Sequence, residues 1–425
     1  MSNWPAPLAS GPVHGRVVIP GSKSASARSL LLAALADGPC TLSGVLDSRD
    51  TQLMRAGLHT LGATFTEVGT DALRIDPITA IRGGGSIDVG LSGTVLRFLP
   101  PIAALAQTPT GFFGDPEVSA RPIAPLLDAL AGLGAHVKDR KVPFTVSGGD
   151  TFRGGAVSID AHASSQFISA LLLSGARFPE GLQVSHHGDS LPSRPHIDMT
   201  CTLLARHQVE VRQPDENTWE ISPGTIAALD ERIEPDLTNA ATMLAAALVT
   251  GGSLSTLWPS DSVQAADQLA EVLTAFGGRL RYLASPEGRF IEVTGPQTLA
   301  AVDLDLSEIS EITPVAAALA ALASGPSRLR GVGHIRGHET DRLAALSTEL
   351  SRLGAGVSTD ADSIVITPGI RHGGVFATYA DHRLAHAGAL IGLVTDGIEL
   401  DDVSCTTKTL PDFPGLWHLL VRTAS

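Results

Sequence analysis

Lysine is scarce in this chain of 425 residues, and acidic residues outnumber basic ones. Only four of the 30 cationic side chains are lysines, and 44 aspartates and glutamates give a formal net charge of −14. Proteins that bind nucleic acids or anionic membranes are usually basic, so the acidic balance argues against both partners. No apolar run reaches the roughly 18–20 residues of a membrane helix. We therefore expect neither a nucleic-acid-binding protein nor a membrane protein.

Cysteine is also rare. The three cysteines, Cys40, Cys201 and Cys405, lie far apart, and no pair has the spacing of metal ligands. Such a scattered, odd-numbered set favours free thiols in a reducing compartment. The segment Met1-Ser2-Asn3-Trp4-Pro5 has neither the basic nor the apolar part of a secretory signal. These absences predict a cytoplasmic protein.

The remaining composition is typical of a folded protein. Hydrophobic residues make up 43% of the chain and charged residues 17%, which excludes a disordered chain. At about 100–200 residues per domain, this length predicts two or three domains.

An internal repeat of about 72 residues organises the sequence. Six times, an apolar run rich in Ala and Leu precedes a turn with a glycine and then a short strand-like segment. Three units per domain, in two domains, suit the usual domain sizes. The runs and their turn glycines are Ser29–Ala36 with Gly38, Val95–Ala106 with Gly111, Phe167–Leu173 with Gly181, Ala240–Val249 with Gly251, Val315–Ala323 with Gly325, and Leu384–Val394 with Gly397.

A second set of helices has polar faces and ends at segments such as Leu61-Gly62-Ala63 and Leu353-Gly354-Ala355. A glycine just beyond a helix permits the positive φ that ends the helix before a strand. Each unit therefore holds a buried helix, a more exposed helix and several short strands. This pattern predicts an α/β fold with parallel and mixed sheets. We expect the seam between the two domains near residues 226–231.

The segments that begin the six apolar helices are polar, and several carry cations. Ser, Thr and Asp are ordinary N-caps, but a cation in the first turn opposes the helix dipole. Because helix N-termini bind phosphate and carboxylate groups, these cations favour a substrate with more than one anionic group. The segments are Ser22-Lys23-Ser24 with Arg28, Ser92-Gly93-Thr94 with Arg97, Ser164-Ser165-Gln166, Asp236-Leu237-Thr238-Asn239, Glu308–Thr313, and Asp381-His382-Arg383; the loops add Arg121, Arg194, Arg336 and Arg342.

Familiar motifs do not account for these segments. Gly21-Ser22-Lys23-Ser24 lacks the glycines of a nucleotide phosphate loop, because Ser22 and Val17 stand at the required positions. Asp381-His382-Arg383 with His386 offers no third metal ligand, and its arginine disfavours a cation, so we expect no metal site. The candidates for acid–base chemistry are Glu311, Glu339, His338, Asp236 and Asp381.

In their order, these segments resemble the enolpyruvyl transferase family, and within it the 5-enolpyruvylshikimate-3-phosphate synthases, over nearly the whole chain. The resemblance implies two α/β domains, each of three βαβαββ-type repeats around a pseudo-threefold axis. It places residues 16–230 in a domain mainly for shikimate 3-phosphate. It places residues 1–15 and 231–425 in a domain with phosphoenolpyruvate and the catalytic carboxylates. The matching segments are Pro20-Gly21-Ser22-Lys23-Ser24 with Arg28, Ser92-Gly93-Thr94-Val95-Leu96-Arg97, Ala120-Arg121-Pro122, Ser164-Ser165-Gln166-Phe167, Glu339-Thr340-Asp341-Arg342-Leu343, Asp381-His382-Arg383, and Lys408-Thr409-Leu410-Pro411-Asp412.

The resemblance also implies the reaction and the residues that perform it. The enolpyruvyl group of phosphoenolpyruvate passes to the 5-hydroxyl of shikimate 3-phosphate and phosphate leaves, in chorismate and aromatic amino-acid biosynthesis. The implied catalytic residues are Glu311, which would accept the hydroxyl proton, Glu339, which would donate a proton to the methylene carbon, and Lys23, which would contact both substrates. No cofactor, a monomer and inhibition by glyphosate at the phosphoenolpyruvate site are implied. The implied shikimate 3-phosphate ligands are Lys23, Ser24, Arg28, Ser164, Ser165, Gln166, Ser193, Glu311 and His338; those of phosphoenolpyruvate are Lys23, Gly93, Arg121, Gln166, Arg342, Arg383 and Lys408.

The sequence departs from the family pattern at several positions. Glu311 stands where many members have Asp, Leu91 where many have Asn, and Phe98 where many have Pro. His338 and His334 stand where some members have Lys and Asn. His338 would contribute a charge only when protonated, so its role is the least defined.

Two alternatives remain open. The related UDP-N-acetylglucosamine enolpyruvyl transferases share the fold and the phosphoenolpyruvate chemistry. They usually have a reactive cysteine before the Ala-Arg-Pro segment and lack the set around Ser164-Ser165-Gln166; here residues 114–119 contain no cysteine. A non-catalytic repeat protein that binds anions would bind both ligands without turnover and would tolerate loss of Glu311 and Glu339.

Overall fold

The computed structural model describes residues 3–188 and 190–422, which divide into two units. The central unit comprises residues 21–234, and the terminal unit comprises residues 3–20 together with 235–422. Within these described ranges, no helix has the length and apolar character that a membrane span requires.

Polar caps begin several of the helices. Ser22 and Asp236, for example, accept hydrogen bonds from backbone N–H groups in the first turns of α1 and α8, and such a cap contributes about 1 kcal/mol. The helices are α1 (Lys23–Leu35), α2 (Arg49–Leu61), α3 (Gly93–Phe98), α4 (Pro100–Ala103), α5 (Ala124–Gly132), α6 (Gln166–Gly175), α7 (Pro195–Arg206), α8 (Leu237–Thr250), α9 (Ala266–Ala275), α10 (Thr313–Ala321), α11 (Arg342–Arg352), α12 (His382–Gly392) and α13 (Phe413–Arg422).

Short strands lie between the helices. In several of them buried residues alternate with less buried ones, as in Cys40–Ser43. The strands are β1 (Trp4–Pro5), β2 (His14–Arg16), β3 (Cys40–Ser43), β4 (Thr64–Val68), β5 (Ala72–Asp76), β6 (Ser86–Asp88), β7 (Thr110–Phe113), β8 (His136–Lys138), β9 (Phe144–Ser147), β10 (Gly155–Ile159), β11 (Leu182–His186), β12 (Val211–Asp215), β13 (Thr218–Ile221), β14 (Glu231–Arg232), β15 (Ser253–Leu257), β16 (Arg279–Ser285), β17 (Gly288–Thr294), β18 (Asp303–Asp305), β19 (Ser327–Arg330), β20 (Gly356–Thr359), β21 (Ser363–Thr367), β22 (Gly374–Phe376) and β23 (Ile398–Leu400).

The strands of the described residues form six sheets that share one pattern. A parallel pair lies at one edge, and antiparallel strands continue the sheet. The central unit holds the sheets β14-β3-β5-β4, β6-β7-β9-β8 and β10-β11-β13-β12. The terminal unit holds β2-β15-β17-β16, β18-β19-β21-β20 and the shorter β22-β23-β1. The predicted α/β fold with three repeats in each half is therefore confirmed.

The apolar helices form the centre of each unit. In the central unit α1, α3 and α6 pack against one another, and in the terminal unit α8, α10 and α12 do the same. Every residue of α10 and α12 is buried, so neither helix presents a face to solvent. The predicted helix Val95–Ala106 is divided instead, because Pro100 cannot donate a backbone hydrogen bond.

The units divide a few residues later than the predicted positions 15/16 and 230/231. Strand β2 pairs with β15, and the backbone N–H of Val17 donates to the carbonyl of Ser255 over 2.8 Å. The chain therefore stays in the terminal unit through residue 20. Strand β14 pairs with β3 of the central unit, so the chain leaves that unit after Glu234.

Candidate active site

The guanidinium of Arg342 is the centre of a buried ion-pair network in the terminal unit. Arg342 begins α11, and its side chain is fully buried. Its Nε donates to Asp381 Oδ2 over 2.7 Å, and its Nη1 and Nη2 donate to Glu311 and Glu339, each over 3.0 Å. Burial opposes the charge of Arg342, but the three carboxylates outweigh that effect and hold its pKa well above the usual value.

Two more cations join these carboxylates. Lys408 Nζ donates to Glu339 Oε1 over 2.6 Å, and Arg383 Nε lies 3.8 Å from Glu311 Oε2. Three positive and three negative side chains therefore meet here, so the anions that compensate the predicted cations are in part the protein's own carboxylates. A substrate anion would have to share these cations with them. The Arg342 network is defined as Arg342, Arg383, Lys408, Glu311, Glu339 and Asp381.

Glu311 is the more accessible of the two predicted catalytic carboxylates. It lies in the 3₁₀ turn Ser310–Ile312 that leads into α10, and 32% of its side-chain surface is exposed. Burial by itself would raise the pKa of Glu311, but the positive charge of Arg342, with that of Arg383, holds the pKa well below its usual value. Glu311 is therefore ionised at neutral pH and able to accept a proton.

Glu339 has a different environment. Its side chain is only 7% exposed, and its two oxygens accept hydrogen bonds from two different cations, Oε1 from Lys408 and Oε2 from Arg342. It lies just before α11, in a loop whose structure the apolar pattern of the sequence does not predict. A carboxylate held this way has a fixed orientation and a neighbouring ammonium group from which it can receive a proton.

His338 contributes a neutral ring to this site. Its Nδ1 lies 2.9 Å from Nη1 of Arg342 and 3.5 Å from Glu311 Oε1. A guanidinium can only donate, so Nδ1 is the acceptor and the ring proton is on Nε2. Burial, opposed by Glu311 but assisted by Arg342, lowers the pKa of His338 to about 3. His338 therefore carries no charge at neutral pH and helps to hold Arg342.

In the central unit, Lys23 and Ser24 begin α1, with Arg28 one turn further along. Arg28 is 1% exposed, and its guanidinium donates to the carbonyl of Ser24 over 3.0 Å and to Thr200 Oγ1 over 2.8 Å. Burial lowers the pKa of Arg28 to about 9, so the side chain is still charged at neutral pH. Its hydrogen bonds to neutral oxygens leave that charge able to attract an anion. Lys23 Nζ lies 4.0 Å from Asp50.

Arg121 lies against the start of α3. Its Nη1 donates to the carbonyl of Leu91 over 2.9 Å. Gly93 is the first residue of α3, and a Cβ at this position would lie 2.8 Å from Arg121 Nη2. The absence of a side chain at Gly93 therefore lets the guanidinium approach the helix backbone.

The start of α6 brings together Gln166 and the two serines before it. The backbone N–H of Gln166 donates to Ser164 Oγ over 3.3 Å, and Ser165 is buried. Gln166 Oε1 accepts a hydrogen bond from Arg97 Nη1 over 2.8 Å. The sequence places Arg97 among the cations at the helix starts, but in the structure it lies in the last turn of the short helix α3. Its contact with Gln166 requires α3 and α6 to pack together. Ser193 lies in a loop with a φ of 54°.

Two of the five acid–base candidates have structural roles. Asp236 accepts from the backbone N–H of Asn239 and so caps α8. Asp381 caps α12 through the backbone N–H of Arg383 while both of its oxygens accept from Arg342. A polar residue before an apolar helix can serve as a cap or as an acid–base group, and only the fold distinguishes the two.

Relatives of known activity match the chain over nearly its whole length. The profile of the EPSP synthase (3-phosphoshikimate 1-carboxyvinyltransferase) family matches residues 8–417. The chain belongs to the EPSP synthase family. A curated 3-phosphoshikimate 1-carboxyvinyltransferase from Mycobacterium ulcerans is 49% identical over 432 residues, covering 99% of this chain and 98% of that relative. The resemblance seen in the sequence is therefore confirmed.

Solved structures of EPSP synthases and of another enolpyruvyl transferase share the fold. An EPSP synthase from Acinetobacter baumannii superimposes with a TM-score of 0.80 at 21% identity, covering 98% of this chain and 97% of that chain. The enolpyruvyl transferase NikO from Streptomyces tendae gives 0.77 at 18% identity, covering 97% of this chain and 96% of the other. At these identities the similarity establishes the architecture alone.

Proposed function

We propose that the Arg342 network supplies the acid and base for the reaction of the EPSP synthase family. As a member of that family, the protein is a transferase that moves the enolpyruvyl group of phosphoenolpyruvate to the 5-hydroxyl of shikimate 3-phosphate. Phosphate is released, and the product enters aromatic amino-acid biosynthesis. The observation that carries the proposal is that Glu311 and Glu339 share one guanidinium but differ in exposure and in their second partners.

The substrate contacts follow from the polar starts of the buried helices. Helix N-termini and arginine forks bind phosphate and carboxylate groups, and both substrates carry such groups. The ligands that we propose for shikimate 3-phosphate are Lys23, Ser24, Arg28, Ser164, Ser165, Gln166, Ser193, Glu311 and His338. Those that we propose for phosphoenolpyruvate are Lys23, Gly93, Arg121, Gln166, Arg342, Arg383 and Lys408.

Glu311 is the proposed proton acceptor. Its carboxylate is ionised because the charges of Arg342 and Arg383 outweigh the effect of burial. A phosphoenolpyruvate anion that shares those two cations would weaken their hold on Glu311 and raise its proton affinity. Glu311 would then take the proton of the 5-hydroxyl as the oxygen attacks C2.

Glu339 is the proposed proton donor. Lys408, 2.6 Å away, can supply the proton that Glu339 passes to the methylene carbon. Protonation of that carbon makes C2 electrophilic, and the 5-oxygen adds to give a tetrahedral adduct. Glu339 then removes a proton from the new methyl group and returns it to Lys408, 2.6 Å away, while the departing phosphate takes up the proton held by Glu311 as its bond to C2 breaks. These steps balance in atoms and protons without a cofactor, which stays a prediction, as do the cytoplasmic location and the monomeric state.

Acceptor choice tests this function. Purified protein with phosphoenolpyruvate and shikimate 3-phosphate, without added metal, is expected to release phosphate. The same mixture with UDP-N-acetylglucosamine as acceptor, or with no acceptor, is expected to release none. If neither acceptor leads to phosphate release, both transferase functions are contradicted. If phosphate is released only with UDP-N-acetylglucosamine, the related UDP-N-acetylglucosamine enolpyruvyl transferases are favoured.

A further inference from the structure

Asn239 has a buried side-chain amide that contacts Arg383 of the Arg342 network and Thr409, the residue that follows Lys408 of the same network. It lies in the first turn of α8 and is 0% exposed. Its Oδ1 accepts a hydrogen bond from Arg383 Nη1 over 2.7 Å, and its Nδ2 donates to the backbone carbonyl of Thr409 over 3.1 Å. None of the roles described above uses this side chain.

Both contacts of Asn239 require an amide. A guanidinium has only donors and a backbone carbonyl has only lone pairs, so the oxygen must face Arg383 and the nitrogen must face the Thr409 carbonyl. The Thr409 hydroxyl also donates to the same amide oxygen, over 3.4 Å. Aspartate would lack the donor, and leucine would lack both groups. The sequence provides one side chain that satisfies two buried groups at once, and leaving such groups unsatisfied is costly.

The neutrality of the amide matters as much as its geometry. Arg383 Nε lies 3.8 Å from Glu311, beyond hydrogen-bond distance, whereas the bond to Asn239 is 2.7 Å long. Asn239 therefore orients the guanidinium without neutralising it. A carboxylate at this position would hold Arg383 equally well but would cancel its attraction for a substrate anion.

The second contact reaches Lys408. This residue ends the 3₁₀ turn Ser404–Lys408, and Thr409 follows it directly. The backbone N–H of Thr409 donates back to the carbonyl of Thr406, while its own carbonyl accepts from Asn239 Nδ2. The end of the turn is thereby attached to α8, which fixes the base of the Lys408 side chain.

We propose that Asn239 is a positioning residue for phosphoenolpyruvate, which holds Arg383 and the Lys408 segment in the geometry that binds this substrate. The inference rests on the proposed function, in which Arg383 and Lys408 are phosphoenolpyruvate ligands. Asn239 touches no reacting atom and acts through these two cations. It should therefore affect the phosphoenolpyruvate requirement far more than that for shikimate 3-phosphate.

Steady-state kinetics of three variants tests the proposal. In Asn239→Leu the KM for phosphoenolpyruvate is expected to rise at least tenfold, while the KM for shikimate 3-phosphate stays within twofold. Asn239→Asp, which keeps the acceptor for Arg383, is expected to show the same selective rise because its charge neutralises Arg383. Thr242→Val is the matched control: Thr242 is buried in the same helix, and its hydroxyl donates only to the carbonyl of Thr238 in the described contacts. This control should leave both KM values unchanged.

A double-mutant cycle with Arg383→Lys identifies the route. If Asn239 acts in part through Arg383, the losses in the Asn239→Leu/Arg383→Lys double variant are expected to be clearly smaller than the product of the two single losses. Fully multiplicative losses would overturn the proposal, as would equal increases in both KM values or an unchanged phosphoenolpyruvate KM in a folded Asn239 variant. Phosphate release by the wild type is measured in the same series, so failure of the proposed function is recognised separately. If Asn239→Leu does not fold, as thermal unfolding would show, the aspartate variant decides the outcome.

Discussion

At the scale of single residues, one guanidinium, that of Arg342, holds both carboxylates to which we assign opposite roles, the proton acceptor Glu311 and the proton donor Glu339. Arg342 contacts Glu311 and Glu339 at the same distance of 3.0 Å. The difference between the two comes from their surroundings, because Glu339 also contacts Lys408 whereas Glu311 is one-third exposed. Environment rather than residue type thus separates the proposed acid from the proposed base.

Glu339→Gln tests the proposed acid. The amide keeps the size of the side chain but cannot donate a proton to carbon, so turnover should fall by about 10²–10⁴-fold, the usual contribution of general acid–base catalysis. Binding of shikimate 3-phosphate, measured by calorimetry, should change little. A high residual rate together with lost binding would mean that Glu339 serves Arg342 and Lys408 only as an ion-pair partner.

Gly93→Ala tests the contact with Arg121. The added methyl would lie 2.8 Å from the guanidinium, and such overpacking costs roughly 1–3 kcal/mol. We expect a raised KM for phosphoenolpyruvate and a larger loss, about tenfold or more, in the affinity for the more extended glyphosate. The measurement is steady-state inhibition at varied phosphoenolpyruvate. Gly224→Ala is the control, because a Cβ there meets nothing within 4 Å; equal glyphosate sensitivity in an active Gly93→Ala variant would remove Gly93 from the site.

The sequence allowed prediction of residues whose chemistry is unusual in their local setting. Glu311 is unusual because a polar lead into a wholly apolar helix is served by Ser or Thr, and Glu339 is unusual because His338, Asp341 and Arg342 surround it in the sequence. Asn239 could not be predicted, because an asparagine in the first turn of a helix is ordinary. Its partners, Arg383 and Thr409, lie 144 and 170 residues away, so its role exists only in the folded chain.

At the scale of elements, the turn before α12 shows how a strained backbone positions the site. Tyr379 and Ala380 both have positive φ values, 54° and 55°. The buried carboxylate of Glu349 holds this turn, since it accepts from the Tyr379 hydroxyl over 2.8 Å and from the backbone N–H of Ala377 over 3.1 Å. Glu349 belongs to α11, which begins with Arg342, and the turn leads into α12, which Asp381 caps. The contacts of Glu349 therefore fix α11 to the start of α12.

Ala380→Gly tests whether this turn is strained. An L-residue in the left-handed region destabilises the folded chain by about 1–2 kcal/mol, and glycine removes that strain. Glycine also loses more conformational entropy on folding, which offsets about 0.5–1 kcal/mol of the improvement. The free energy of unfolding in urea should therefore rise by about 0.5–1 kcal/mol. The matched control is Ala344→Gly, at an exposed position in α11, which should lower it by a similar amount. Destabilisation by both substitutions would show that Ala380 is not strained.

The helices were easier to predict than the sheets. Apolar runs bounded by glycine identify α8, α10 and α12, because a helix buried on all sides needs no polar face. The pairing of β14 with β3 joins segments almost 190 residues apart in sequence, and no local pattern records such a partner. The break between α3 and α4 was visible in the sequence as Pro100 and Pro101, and the apolar pattern alone overlooked it.

At the scale of the whole molecule, the sixfold repeat accounts for the architecture of both units. Each unit contains three sheets of one pattern around three buried helices. Regular glycine spacing predicted the repeat, since a turn must recur wherever a buried helix leads into a strand. The unit boundaries shifted by a few residues because β2 and β14 form backbone pairs that the side-chain pattern does not encode.

The stability of the fold should decrease in acid, in part because of His338. The pKa of this ring is lowered from 6.5 to about 3, so below pH 6.5 the unfolded chain binds a proton that the folded chain does not. The contribution of the neutral His338 ring to the free energy of unfolding is fully present above pH 6.5, and about 2 kcal/mol of it is lost by pH 5. Urea unfolding at pH 7.5 and pH 5 measures the loss. In His338→Asn, which keeps an acceptor for Arg342, the loss should be smaller; an identical pH dependence in both proteins would contradict the assignment.

In the proposed mechanism, the Arg342 network protonates and then deprotonates the methylene carbon of phosphoenolpyruvate. The most direct measurement is the reaction with shikimate 3-phosphate in D₂O, with mass spectrometry of the product and of the recovered phosphoenolpyruvate. We expect deuterium in the vinyl group of the product, because the methyl group of the adduct can lose either hydrogen isotope. We also expect much slower formation of that product by Glu339→Gln. Product formed at the full rate without deuterium would contradict this mechanism, since the enolpyruvyl group would then be transferred without protonation of its carbon.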